Sequence, residues 1–510
     1  MTAMNLTTDA ALPGLYVHVP FCPRKCHYCD FYSITDGALI PDWLAALEKE
    51  AWVYQGQFGL FDTLYLGGGT PSLLEAGPIA HLMETLRRHF SFLPDTEVTL
   101  EANADDLTGE KIRLYQDLGV NRLSVGVQSF HDRELAFLGR RHNTRQTVQA
   151  LEAVRNAGFA NLSLDLIYGL PGQGLEDWEK TLGQALAFAP EHLSCYQLTY
   201  EAGTPLGRRQ ARGEVTPARE EGERAFFLFT SRFLEERGYL HYEISNFARL
   251  RDPGKESDYH IIISAGKSLI HPVPPPHGGR GLRGGGRLGQ ATVINPRDAT
   301  PTLTLPPQGG GNFLVASLPH KAQFSANEDF CPWLINNQES FSRKPKTENR
   351  KPYYSRHNRK YWSHVPYLGL GPGAHSFQDG ERWWNVASVK AYCQELAQGR
   401  FPVAAREVLS PEQLRLEALY LGLRTKDGVS LDLLRRTPEW EKTLTELQKS
   451  GLIEVHRGRA VPTRQGFLLA DSLPLRFMDV GLGDEGMNYH GGDAGAPDPW
   501  PLTPDPCSHA

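Results

Sequence analysis

The sequence lacks any apolar run near the ~18–20 residues that a bilayer-spanning helix requires, which excludes a helical membrane protein as a reading. It also lacks positive charge in excess: 53 Lys and Arg stand against 59 Asp and Glu, a net charge of −6. A bulk nucleic-acid or anionic-membrane binder carries the opposite balance. Residues 1–14 have neither the basic n-region nor the apolar h-region of a secretory signal. Cysteine is scarce and uneven, with seven in 510 residues and three of them within eight positions. An odd count with one tight cluster does not suit a secreted disulfide framework. These absences predict a soluble, cytoplasmic protein that uses its clustered thiols on a cofactor.

What is present is organised. The length allows two or three domains. Residues 15–19, 63–66, 97–101, 122–126, 161–167 and 192–199 read as strands, and 42–52, 79–89, 111–118, 144–157 and 176–189 have helical period. Repeated strand–helix units of this length predict an α/β fold with a parallel sheet, open or closed into a barrel. Polar and glycine residues gather just after the strands, where such sheets build their sites. Residues 251–351 then change character: HPVPPPHGGRGLRGGGRLG has no period, and the stretch carries 13 Lys and Arg against 8 Asp and Glu. That composition predicts a disordered insertion. Further on, SPEQ at 410–413 is a capping-box start with Pro at the first helical position. Helices near 411–424, 430–435 and 439–450, the last announced by Thr437-Pro438, precede a hairpin at 452–463 that turns at Arg457-Gly458. The pattern is winged-helix-like. The expected division is a flexible start (1–14), a barrel domain (15–250 and 353–405), the insertion (251–352), a C-terminal domain (406–478) and a disordered tail (479–510).

The decisive stretch is YVHVPFCPRKCHYCDF, which places Cys22, Cys26 and Cys29 in one loop beyond a strand. A loop with this spacing wraps three corners of a cubane 4Fe–4S cluster and leaves one iron without a protein thiolate. Zinc or redox thiols are the competing use, but no fourth cysteine is near and His27 lies between two thiols. GGGTP at 67–71 ends the second strand, and its glycines permit close backbone approach. Glu101, Gln128 and Asp165 follow at or just beyond strands, with Arg140 in a loop.

Taken in this order, these motifs resemble the radical S-adenosylmethionine (SAM) superfamily, in its oxygen-independent coproporphyrinogen III oxidase-like branch. The resemblance implies a partial (β/α) barrel, a 4Fe–4S cluster on Cys22, Cys26 and Cys29, and SAM chelated to the open iron. It further implies SAM contacts from Tyr16, Gly68, Gly69, Thr70, Glu101, Gln128, Arg140 and Asp165. Two details point to the heme chaperone (HemW) subfamily. Phe31 stands where the oxidases carry a fourth cysteine, and the chain contains HNRKYW, His357 to Trp362. That subfamily binds heme and delivers it to acceptor apoproteins, including ones at the membrane surface, without oxidising coproporphyrinogen. His357, Asn358, Tyr361 and Trp362 become heme candidates, since an imidazole beside aromatic rings suits iron and a porphyrin face. The plainer reading makes the aromatics core residues and His357 a hydrogen-bonding group. The family joins YEISNFAR to SRHN within a few residues, whereas about a hundred intervene here. Two other functions compete. A true decarboxylating oxidase is disfavoured by Phe31. A DNA-binding winged helix is disfavoured by Glu439, Glu441 and Glu446 on the third helix, and no nucleic-acid partner is expected.

Overall fold

The computed structural model of the chain describes residues 11–251 and 351–477. The expectations for the body of the insertion, for residues 1–10 and for the tail from 478 lie outside the described residues. Six strands, β1 (Gly14–Val19), β2 (Leu60–Gly68), β3 (Ser91–Asn103), β4 (Arg122–Gln128), β5 (Leu162–Tyr168) and β6 (His192–Gln197), pair in parallel and in sequence order. They form the α/β radical SAM fold. Beyond β6 lie two short antiparallel strands, β7 (Tyr239–His241) and β8 (Asn246–Arg249), in the order β6-β8-β7. On the other side, β9 (Tyr367–Leu370) pairs in parallel with β1 and is followed by antiparallel β10 (His375–Gln378), β11 (Glu381–Asn385) and β12 (Val403–Val408).

Alternation along the strands explains the layers. Leu15, Val17 and Val19 of β1, with Leu64, Leu66, Leu100, Leu123, Val125, Leu162 and Leu164, join one hydrophobic core with helix residues such as Trp43, Leu82, Leu151 and Trp178. The opposite faces are polar. Tyr16, Tyr65, Glu101, Arg122, Ser124, Asp165 and Ser194 line a small cavity inside the curved sheet. A closed barrel of this type fills its interior with branched apolar side chains. Here the interior is a pocket.

Chain entry into and exit from the insertion are adjacent. The Arg251 N–H donates to Lys351 O (3.0 Å), the Tyr353 N–H donates to Arg249 O (3.0 Å), and Leu250 bridges Pro352 in antiparallel fashion. The two ends therefore form the stem of a hairpin.

The C-terminal domain has its own core of Leu419, Leu423, Val429, Leu434, Leu444, Leu447, Ile453 and Phe477. Its helices span Pro411–Gly422, Leu431–Leu434 and Trp440–Lys449. The hairpin of β14 (Ile453–His456) and β15 (Arg459–Pro462), turning on left-handed Arg457 and Gly458, is joined by β13 (Val429–Ser430) in the order β13-β15-β14. One start signal reads differently in the structure. Thr437 does not cap the third helix, because its hydroxyl donates to Phe477 O (2.6 Å); Glu439 occupies the N-cap without a side-chain bond.

Candidate functional site

The cysteine loop leaves β1 and is pinned at its base by Cys22 N–H to Ile34 O (2.9 Å) and Ile34 N–H to Pro20 O (2.8 Å). Cys22, Cys26 and Cys29 are all buried, within an apolar shell that includes Tyr28, Phe31, Leu138, Ile167 and Leu206. Burial pushes all three thiols up, Cys29 to about 12; neighbouring sulfurs add to this at Cys22 and Cys29, while Arg140 opposes it at Cys26. Such a trio becomes three thiolates only against compensating positive charge. Among the described residues no three His, Cys, Asp or Glu converge tightly enough to hold a single metal ion. A cubane spreads its ligands over separate irons and makes no such demand. His27 turns away from the sulfurs, its Nδ1 lying 2.9 Å from Phe137 O. The thiol trio thus fits a cluster.

The glycine turn lies against this loop. A Cβ on Gly69 would sit 2.6 Å from Phe21 O and 2.7 Å from Val19 O. Gly68 combines φ +103° with a Cβ position 2.5 Å from His18 Nδ1. No larger residue fits either place. The Thr70 hydroxyl reaches Cys22 Sγ at 3.5 Å. Arg140 stands on the other side of the thiols, with Nη1 3.9 Å from Cys26 Sγ and 3.2 Å from Tyr28 Oη, and Nη2 donating to Asn103 Oδ1 (2.8 Å) and Gly126 O (2.7 Å).

Below the glycines, Glu101 accepts the Tyr65 hydroxyl (2.7 Å) and the Gly68 N–H (3.1 Å). Tyr16 Oη lies 3.2 Å from His18 Nδ1. Asp165 accepts from the Ser124 hydroxyl, and burial pushes its carboxyl up to about 6 against the opposing effect of Ser194, Arg122, Ser124 and Arg140. Gln128 is fully buried, and neither end of its carboxamide has a hydrogen-bond partner. Its backbone is held at φ +68°, a left-handed conformation costly for a residue with a Cβ. Backbone strain and unpaired buried polar groups are features that cluster at functional sites. His142 Nε2, 3.3 Å from Val127 O, braces the preceding peptide.

The structure splits HNRKYW between two faces. Its helix, Arg356–Trp362, enters the barrel at the mouth opposite the cysteines, its first amides capped by Glu97 Oε1 (2.8 Å from Arg356 N, 3.3 Å from His357 N). His357, Asn358 and Tyr361 line the inner cavity, whereas Trp362 lines a second, small cleft with Tyr242, Tyr354, Arg359 and Asp427. Sequence reasoning missed Tyr65, Asn103, Arg122 and Tyr196. The signal was a polar residue at every second position of otherwise apolar strands.

Known proteins add to this geometry. The model of the radical SAM superfamily matches residues 16–185, and that of the HemN C-terminal domain matches residues 409–469. Coproporphyrinogen III oxidase (HemN) from Escherichia coli shares the fold, with a TM-score of 0.62 at 20% identity over 91% of this chain and 90% of that one. The heme chaperone HemW of Mycobacterium tuberculosis is 30% identical over 467 residues, 90% of this chain and 93% of that protein. The chain belongs to the HemW family. HemW of Bacillus subtilis is similar over 473 residues, at 29% identity and 98% of its length. The HemW-like sequence thus extends through the barrel and into the C-terminal domain, beyond the segment that the superfamily model covers. Among the described residues, no helix is long and apolar enough to cross a membrane.

Proposed function

We propose that this chain is a cytoplasmic heme chaperone that holds a 4Fe–4S cluster on Cys22, Cys26 and Cys29, binds SAM in the barrel, and passes heme to acceptor apoproteins. The observation that carries the cofactor half is the buried thiol trio beside the Gly68–Thr70 turn, together with an unpartnered, buried Gln128 at the end of β4. A cubane with three protein thiolates offers its fourth iron to an amino-acid chelate. The Gly68–Gly69 backbone and Thr70 bound the approach to that iron. Glu101 and Asp165 supply acceptors for ribose hydroxyls, Gln128 supplies both an acceptor and a donor, and Tyr16 supplies a ring face. Arg140, already bonded to Asn103 and Gly126, holds a fixed positive charge beside the thiolates.

The heme half rests on the family. The outward part of HNRKYW is Trp362, which borders the second cleft, with the Arg359 guanidinium 4.4 Å over the Tyr354 ring. Decarboxylating oxidation of coproporphyrinogen III is the alternative, and Phe31, buried in the apolar shell, supplies no thiol at the oxidases' fourth position. The test is anaerobic reconstitution with iron and sulfide, then addition of heme and of an apo-hemoprotein. Heme uptake and hand-over without SAM-dependent decarboxylation of coproporphyrinogen III is the expected result. Sustained decarboxylation would replace the chaperone with the oxidase.

A further inference from the structure

The histidine of HNRKYW is the obvious candidate for an iron ligand, yet it sits at the bottom of the SAM pocket. His357 is 1% exposed. Its Nδ1 lies 2.8 Å from Thr63 Oγ1 and its Nε2 lies 2.8 Å from Tyr361 Oη, so both ring nitrogens are engaged. Burial, with Lys360 and Arg122 nearby, holds the imidazole neutral. An axial ligand needs a nitrogen lone pair open to a macrocycle, and here Tyr361 and Thr63 stand on those directions.

The ring contacts run upward instead. The imidazole centroid is 5.2 Å from that of Tyr65 and 6.3 Å from that of Tyr16. Thr63 and Tyr65 are alternate residues of β2 and face the same way. The Tyr65 hydroxyl donates to Glu101 Oε1, and Glu101 Oε2 takes the Gly68 N–H. A continuous chain of contacts therefore leads from His357 through Tyr65 to Glu101 and the glycine turn. The helix that carries His357 is fixed from outside by Glu97 at its N-terminus and by Lys360, whose ammonium lies 2.5 Å from Leu12 O and 2.6 Å from Asp62 Oδ1.

We infer that His357 is a positioning residue of the SAM pocket, a plug that sets Tyr65 and Glu101, and that it does not ligate heme iron. The inference rests on the reading of Glu101 as a SAM contact. Removing the imidazole leaves a void under two tyrosine rings, which relax into it and carry Glu101 off its bond to Gly68.

The experiment uses the reconstituted full chain with His357→Ala, His357→Gln, Tyr361→Phe and Glu101→Gln. Cluster iron, SAM affinity, heme affinity and the heme absorption spectrum are measured for each. His357→Ala should weaken SAM binding about tenfold, the effect of one misplaced hydrogen-bonding partner. His357→Gln, which keeps an amide for Thr63 or Tyr361, should recover most of that loss. Iron content, heme affinity and heme spectrum should match the parent in all three floor variants. Should His357→Ala fail to fold, Tyr361→Phe decides: it frees Nε2, and an unchanged heme spectrum supports the plug. A heme spectrum or affinity altered by the His357 variants, with SAM binding intact, would overturn the inference in favour of axial ligation. Unchanged SAM binding in Glu101→Gln would remove the SAM reading itself, and the inference would fall with it.

Discussion

The two mouths of the barrel are built from different materials. The rim beyond β1 is made of three thiols within eight residues, a glycine turn that admits no Cβ, and an apolar wrapping. The opposite mouth is closed by a helix that brings His357 to Thr63, 294 residues earlier in the chain, and has its first two amides held by Glu97. The rim is chemically exacting and local. The floor is held by hydrogen bonds and ion pairs between distant segments, and other residues of similar shape would serve it. Changes at the rim should therefore abolish function outright, while changes at the floor should grade it.

The largest effect is expected from Cys22→Ala, Cys26→Ala or Cys29→Ala. Each should abolish loading of about four irons per chain, because every thiolate holds one corner. Cys393→Ala should load normally, and equal iron loss in both sets would erase the distinction between rim and remainder. Next comes Gln128→Gly. Relief of a left-handed conformation is worth ~1–2 kcal/mol, against ~0.5–1 kcal/mol for the added freedom of glycine in the unfolded chain. The thermal midpoint should hold or rise while SAM affinity falls about tenfold or more. A fall in both would show that the buried amide supports the fold rather than a ligand.

A smaller effect belongs to Glu50, which ties the segment after the insertion to the helix Ile40–Tyr54. It accepts from the Gly371 N–H (2.8 Å), the Asn385 amide (2.5 Å) and the Tyr392 hydroxyl (2.5 Å). Burial raises its carboxyl from 4.5 to about 7, opposed by those three donors. A raised carboxyl binds its proton more tightly in the folded state. The resulting stabilisation is full below pH 4.5 and lost as pH climbs through 7, by up to about 3 kcal/mol. Denaturant titrations at pH 5 and pH 8 should show this decline, and Glu50→Gln should flatten it. A wild-type stability that rises over the same window contradicts the assignment.

The smallest effect is expected from removing residues 252–350. Arg251 and Lys351 are already hydrogen-bonded neighbours, so a two-residue Asn-Gly turn can join them. Closure entropy for a long loop grows only logarithmically, about 0.6 kcal/mol per doubling. Cluster loading should be unchanged and heme binding equal or better. A shortened chain that loads its cluster but loses heme would make the insertion part of the heme site.

What could be read in advance follows the same division. Six strands, the cysteine loop and the Arg457-Gly458 hairpin were legible because each is specified within a few neighbouring residues. The floor was not, since the contact of His357 with Thr63 and Tyr65 exists only after β9 closes against β1. The β10–β11 hairpin carried a readable signal that went unused: Asp379-Gly380, left-handed at both positions, between HSFQ and ERWW. Arg122 carried only the alternation of its strand as a signal. A guanidinium at the start of a strand ordinarily faces water, and only the polar interior of this barrel explains its burial.

The account stands most directly on the cluster and its open iron. The measurement is iron and sulfide content of the anaerobically reconstituted chain, with the electron paramagnetic resonance spectrum of the reduced protein taken before and after SAM. About four irons and four sulfides per chain, with a spectrum that SAM shifts, is the predicted result. A single tightly bound metal ion, or a cluster whose spectrum does not change with saturating SAM, would contradict it.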